Sequence, residues 1–231
     1  MENIFNFGTG PCLYVAVAVF FVGLLARFVL YFLGLDWKLD RVAYKAHMGQ
    51  GLKGGIHSAV KWLIPFGTQG WRTQPLATVG FFLLHLGVVL VPVFLLGHNV
   101  ILQQRFGFSL PTLPQNVADI LTVLSLAGLA VMLLRRLFLP NVRILTTGQD
   151  YFLILLVLVP LVTGFLAVQG FGNYKALLLC HIISGEVLLI LAPFTKLSHI
   201  ALYFASRMQI GMDYAIKRGG RTRESGAFFP W

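Results

Sequence analysis

The sequence predicts an all-α integral membrane protein, a bundle of five transmembrane helices with the N-terminus outside and the C-terminus cytoplasmic. Three observations predict it. Only 11% of residues are charged and 57% are hydrophobic, where a soluble domain carries about 25% charged residues. Five apolar runs are each long enough to cross roughly 30 Å of hydrocarbon, which takes about 20 helical residues. Of the 18 lysines and arginines, all but Arg105 and Lys175 fall on one side of those runs. Basic residues concentrate in cytoplasmic loops. An odd number of spans with the C-terminus inside puts the N-terminus outside, so the charge and the span count agree.

The first span covers residues 12–35. It lacks a basic segment before it and is too long for the apolar region of a signal peptide, so it reads as a membrane helix. Residues 36–75 form a basic cytoplasmic loop with Lys38, Arg41, Lys45, Lys53, Lys61 and Arg72. Within it, residues 41–66 place Leu52, Ile56, Ala59, Val60 and Leu63 at helical spacing. They predict an amphipathic surface helix for lipid headgroups or for a cytoplasmic partner, although its glycines weaken the helix. The second span covers 76–98. Pro111 and Pro114 forbid a regular helix in the outer loop that follows. The third span, 117–139, ends in Arg135 and Arg136, with Arg143 beyond. Asp150 is the expected N-cap of the fourth span, 151–169. The fifth apolar run, 176–204, is long enough to project beyond the bilayer, and a basic tail follows over 206–231. Residues 1–205 therefore read as one membrane domain, with no internal repeat and no soluble catalytic domain.

Net charge is +10. In a soluble protein that would suggest nucleic acid; here topology accounts for it, and membrane lipid is the expected contact. Cys12 and Cys180 both read near the outer face, as packing residues with a disulfide as the alternative, and no haem-attachment CxxCH motif occurs.

Four of the six histidines sit in apolar runs. His85 and His98 are on the second, His181 and His199 on the fifth. Ionisable residues at membrane depth are costly and mark function by default; the structural alternative is hydrogen bonding between helices. On one continuous helix, the 18 residues between His181 and His199 make five turns. That puts both on one face about 27 Å apart, nearly the hydrocarbon thickness. In an antiparallel arrangement His98 pairs with His181 outside and His85 with His199 inside. A zinc site would gather its ligands at one depth. Two separated imidazole pairs suit two bis-histidine haems, an electron path through the bilayer. The 13 residues between His85 and His98 do not bring them to one face of an ideal helix, and a kink at Pro92 is the expected remedy.

"LLRRLFLPNVRILTTGQDYFLILL", "LCHIISGEVLLILAPFTKLSHI", "LLHLGVVLVPVFLLGH" and "FFVGLLARF" resemble the helices and third connection of the respiratory nitrate reductase gamma subunit, a diheme cytochrome b family. The likeness spans residues 10–205. Histidine spacing and the longer cytoplasmic loop look more like its relatives in sulfate-reducing bacteria, the cytochrome b subunits of Hmc, Tmc and Dsr transmembrane complexes. The resemblance implies two haem b groups in the bacterial cytoplasmic (inner) membrane. His98 and His181 would hold the outer iron, and His85 and His199 the inner. It also implies menaquinone near the outer haem, a cytoplasmic iron–sulfur subunit, other membrane subunits and a periplasmic multihaem cytochrome c. Where the family carries a lysine before the third helix, this sequence has Gln115 and Asn116.

Glu186, one turn inward of His181, is a candidate proton relay in quinol oxidation or a hydrogen-bond partner of a neighbouring helix. Arg135, Arg136, Arg143 and Lys196 are candidates for the inner haem's propionates, since guanidinium binds carboxylate bidentately; anchoring by positive charge is the plainer role. The expected function is an electron-transfer subunit rather than a complete enzyme. The alternatives are a structural membrane anchor lacking one or both haems, and a transporter in which the histidines relay protons. No span carries the Gly/Pro-broken substrate site that a transporter would show.

Overall fold

The computed structural model describes residues 6–35 and 47–217, which hold helices and no strand. Five helices are long and apolar enough to cross a membrane: Gly8–Leu33, Pro75–Phe94, Gln115–Phe138, Gly148–Val168 and Tyr174–Phe194. The chain is a multi-pass membrane protein. In chain order the helices are α1 (Gly8–Leu33, opening with a π-helical turn, Gly8–Cys12), α2 (Met48–Leu63), α3 (Gln69–Thr73), α4 (Pro75–Phe94) and α5 (Leu96–Phe106). There follow α6 (Gln115–Phe138), α7 (Pro140–Arg143), α8 (Gly148–Val168), α9 (Tyr174–Leu191) and α10 (His199–Lys217). Lys38, Arg41, Lys45, Arg218, Arg221 and Arg223 lie outside the described residues.

The chain divides into two compact units, one of residues 1–18 and 76–190, the other of 19–75 and 191–231. In the first unit, α4 and α6 pack through small residues. A Cβ on Gly128 would lie 2.5 Å from the Gly80 carbonyl oxygen, and one on Gly87 would lie 2.1 Å from Ser125 Oγ. Ser125 Oγ donates to the Leu84 carbonyl at 2.9 Å. Apolar side chains gain little from each other in lipid, so close backbone approach and interhelical hydrogen bonds hold membrane helices together. α6 and α8 are joined near both ends. Gln169 Nε2 donates to Asp119 at 2.8 Å, and Arg136 pairs with Asp150 at 3.8 Å.

Asp150 caps α8 differently from the sequence expectation. The helix begins at Gly148 with Thr147 as N-cap. Asp150 is its third residue, and its carboxylate accepts from the Thr147 backbone N–H at 2.8 Å and hydroxyl at 2.9 Å. This is a capping box, in which the cap and the third residue satisfy each other's polar groups.

In the second unit, α2 packs along α10. Its glycines are the packing face. A Cβ on Gly54 would lie 2.4 Å from Ala215 Cβ, and one on Gly211 would lie 2.4 Å from the Gly54 carbonyl oxygen. Gly51, Gly55 and Ala59 are buried, while Leu52, Ile56, Val60 and Leu63 are exposed. The glycines that weaken α2 as an isolated helix thus let it approach a partner closely. Tyr203 OH donates to the Ala59 carbonyl at 3.1 Å, and the Arg207 guanidinium lies 3.9 Å over the Trp62 ring. Tyr31, near the end of α1, hydrogen-bonds Gln209 of α10.

Candidate bis-imidazole site

The second apolar run is not one helix. α4 stops at Phe94, Leu95 is extended (φ −70°, ψ 135°), and α5 starts at Leu96. A helix end leaves its last four carbonyls without helical donors. Here all four are satisfied: Val91 by the Leu95 N–H, Pro92 by His98 Nδ1, Val93 by Asn99 Nδ2, and Phe94 by the Leu113 N–H. Asn99 is 2% exposed and also accepts from the Leu110 N–H at 2.7 Å through Oδ1. The break three residues past Pro92 removes the azimuth problem of a continuous helix, because His98 belongs to α5.

The same break brings His98 to His181 of α9. Their ring centres are 5.8 Å apart and the planes differ by 1°. His181 Nδ1 donates to the Pro160 carbonyl of α8 at 2.8 Å, and His98 Nδ1 to the Pro92 carbonyl at 3.0 Å. A carbonyl only accepts, so each Nδ1 carries the proton and each Nε2 keeps its lone pair. His181 reaches Pro160 because Gly164 leaves room. A Cβ there would lie 2.7 Å from His181 Cε1 and Nδ1. Burial lowers the His98 pKa below the ordinary histidine value, and the facing His181 lowers it further. Both favour the neutral imidazole that metals bind.

This geometry fits bis-imidazole ligation of a haem iron. With metal–nitrogen bonds of about 2 Å, as for imidazole on zinc, two trans imidazoles hold their ring centres roughly 6 Å apart. Metal-binding histidines characteristically donate the other ring nitrogen to a carbonyl, which fixes tautomer and orientation. Among the described residues no three His, Cys, Asp or Glu side chains converge; axial haem ligation asks for two.

The other candidates stand as follows. His85 Nδ1 donates to the Phe81 carbonyl at 2.8 Å, and His199 Nδ1 to the Lys196 carbonyl at 2.9 Å. His85 belongs to the first unit and His199 to the second. The fifth run, like the second, is interrupted. α9 ends at Leu191, a 3₁₀ turn Ala192–Phe194 follows, and Thr195 is extended (φ −120°, ψ −175°). A second 3₁₀ turn, Lys196–Ser198, leads to His199 as the first residue of α10. The single continuous helix expected from His181 to His199 is therefore interrupted, because Pro193 and the Thr195 cap end the ladder. Arg136 is engaged by Asp150 and by the Thr146 hydroxyl at 3.3 Å. Arg135 is half-buried and Arg143 exposed in the first unit, and Lys196 is exposed in the second. Glu186 is half-buried, and its Oε1 is buried with no hydrogen-bond partner. Cys12 and Cys180 are free thiols. Gln115 Nε2 donates to Asp119 at 2.7 Å, and Asn116 Oδ1 accepts from the Val117 N–H at 3.0 Å. An open apolar groove of about 570 Å³ runs along α8 and α9, with Phe152, Leu155, Val159, Leu179, Cys180 and Ile183 in its wall.

Asn99, Pro160 and Gly164 escape sequence reasoning. An amide beside His98 in an apolar run was the available signal for the first; the other two act across helices.

The chain is 61% identical over 228 residues to a protein of Nitratidesulfovibrio vulgaris (strain Hildenborough), covering 99% of this chain and all of that one. The chain belongs to that protein's family. No family model matches it, and no solved structure matches.

Proposed function

We propose that the chain is the membrane-anchor diheme cytochrome b subunit of a larger redox complex. It conducts electrons across the bacterial cytoplasmic membrane. His98 and His181 would hold the outer haem b, and His85 and His199, paired from the sequence, the inner one. The observation that carries this reading is the parallel His98–His181 pair, with both Nδ1 atoms held by carbonyls and both Nε2 atoms available. The same Nδ1–carbonyl bond at His85 and His199 supports the inner pair. Haem iron, when bound, supplies one-electron redox chemistry. The protein supplies ligands, their orientation and an apolar shell.

Sorting of the basic residues supports an outside N-terminus and a cytoplasmic C-terminus. Electrons would then pass between a periplasmic multihaem cytochrome c or the menaquinone pool and a cytoplasmic iron–sulfur subunit, with other membrane subunits in the complex. The groove whose wall includes Cys180 and Val159, chain neighbours of His181 and Pro160, supports a menaquinone tail near the outer haem. The buried, unpartnered Glu186 Oε1 supports a proton relay there. The exposed aliphatic stripe of α2, flanked by Lys53 and Lys61, supports lipid contact.

A reduced-minus-oxidised spectrum of the purified protein tests the reading. Two b-type components are expected. Absence of b-type bands would sink it and leave a structural anchor.

A further inference from the structure

Arg105 has no part in anything above. It is one of two basic residues outside the cytoplasmic set, and it is half-buried where Gln103, Gln104 and Gly107 are exposed. It sits on α5 seven residues after His98, a spacing of two turns and one face, about 10 Å along the axis. Its Nη2 donates to Thr9 Oγ1 at 3.3 Å. The guanidinium lies over bare backbone, 3.8–3.9 Å from where a Gly10 Cβ would stand. Gly8, Thr9 and Gly10 are buried, and a Cβ on Gly8 would lie 3.1 Å from Ile182, next to His181. The turn that receives Arg105 therefore also borders the other imidazole's helix.

Arginine in a last helical turn commonly serves the helix dipole. This guanidinium reaches away to Thr9 instead, and it pairs with no carboxylate among the described residues. Among the described residues, four of its five N–H donors have no protein acceptor. A half-buried cation in an apolar protein calls for an anion. If His98 and His181 held a haem between them, a side chain two turns along the same face of α5 would be within reach of its rim, and a cation there would suit the edge that carries the propionates.

We infer that Arg105 binds a propionate carboxylate of the haem held by His98 and His181. The inference rests on the haem reading above. Arginine suits it, because the guanidinium fork matches a carboxylate bidentately.

A potentiometric titration of the b bands in the full chain tests it, in the wild type and in His199→Ala to isolate the His98–His181 component. Loss of the nearby positive charge favours the oxidised form. In Arg105→Gln the oxidised-to-reduced ratio at fixed potential should rise about tenfold, a midpoint lower by about 59 mV for one electron. Arg105→Ala serves if the glutamine variant is not recovered. Arg105→Lys keeps the charge and should stay within about threefold of wild type. Lys175→Gln, at the other outer cation, should leave the ratio unchanged. A midpoint indifferent to Arg105→Gln, or an equal shift in Lys175→Gln, overturns the inference while the haem reading stands. A wild-type chain without b bands overturns both.

Discussion

His181 depends on a residue with no side chain. Its ring lies against Gly164, within 2.7 Å of where a Cβ would stand, while Nδ1 donates to the Pro160 carbonyl. A methyl at 164 would force the ring off that carbonyl. Gly164→Ala should therefore remove one of two b haems, halving the pyridine haemochrome signal per protein, with helical content by circular dichroism unchanged. Full haem content in that variant would refute the positioning role. His98→Ala and His181→Ala should each remove the same spectral component, the double variant no more than either, and His199→Ala the other component. Different components lost from His98→Ala and His181→Ala would break the pairing.

Among the elements, the two breaks matter more than the spans. Asn99 ties the α4–α5 break with three hydrogen bonds, and it is buried. Buried groups that lose a partner cost about 1–3 kcal/mol each. Asn99→Leu should lower the thermal midpoint of the detergent-solubilised protein and cost the outer haem; an unshifted midpoint would show that the loop holds without it. The α2–α10 pair is set by glycine contact. Overpacking costs about 1–3 kcal/mol, so Gly54→Leu should expose α2 to limited proteolysis while the five spans stay in the membrane. Tyr203→Phe, which removes one hydrogen bond of about 1 kcal/mol, should do so only weakly. Burial raises the Tyr203 pKa despite the opposing Arg207, so the hydroxyl keeps its proton and its bond to Ala59.

At the scale of the whole molecule, the sorted charge makes a topological prediction. Reporter fusions after residue 217 should be active only as cytoplasmic reporters, and a periplasmic reporter placed within 107–114 should be active outside. The opposite pattern would invert the assignment of outer and inner haem. It would leave the His98–His181 geometry untouched, because that geometry does not depend on which side is which.

Fold class was legible because each membrane helix must be about 20 apolar residues long, whatever it packs against. The four histidines were legible for the same reason, as polar groups in lipid stand out. What the sequence could not determine was where the apolar runs bend. Pro92 and Pro193 hinted at breaks, but the run through His98 reads as one span until the carbonyls freed at Val91–Phe94 find donors in Leu95, His98, Asn99 and Leu113. Two of those donors are side chains and one lies beyond a loop, so only the tertiary structure could decide the break. Tertiary structure also gave the glycines of α2 a role the sequence did not suggest, as the face packed on α10, while the aliphatic residues stay exposed. Apolar content along the chain is a local property. The distance between two backbones is not, and it decides which imidazoles meet.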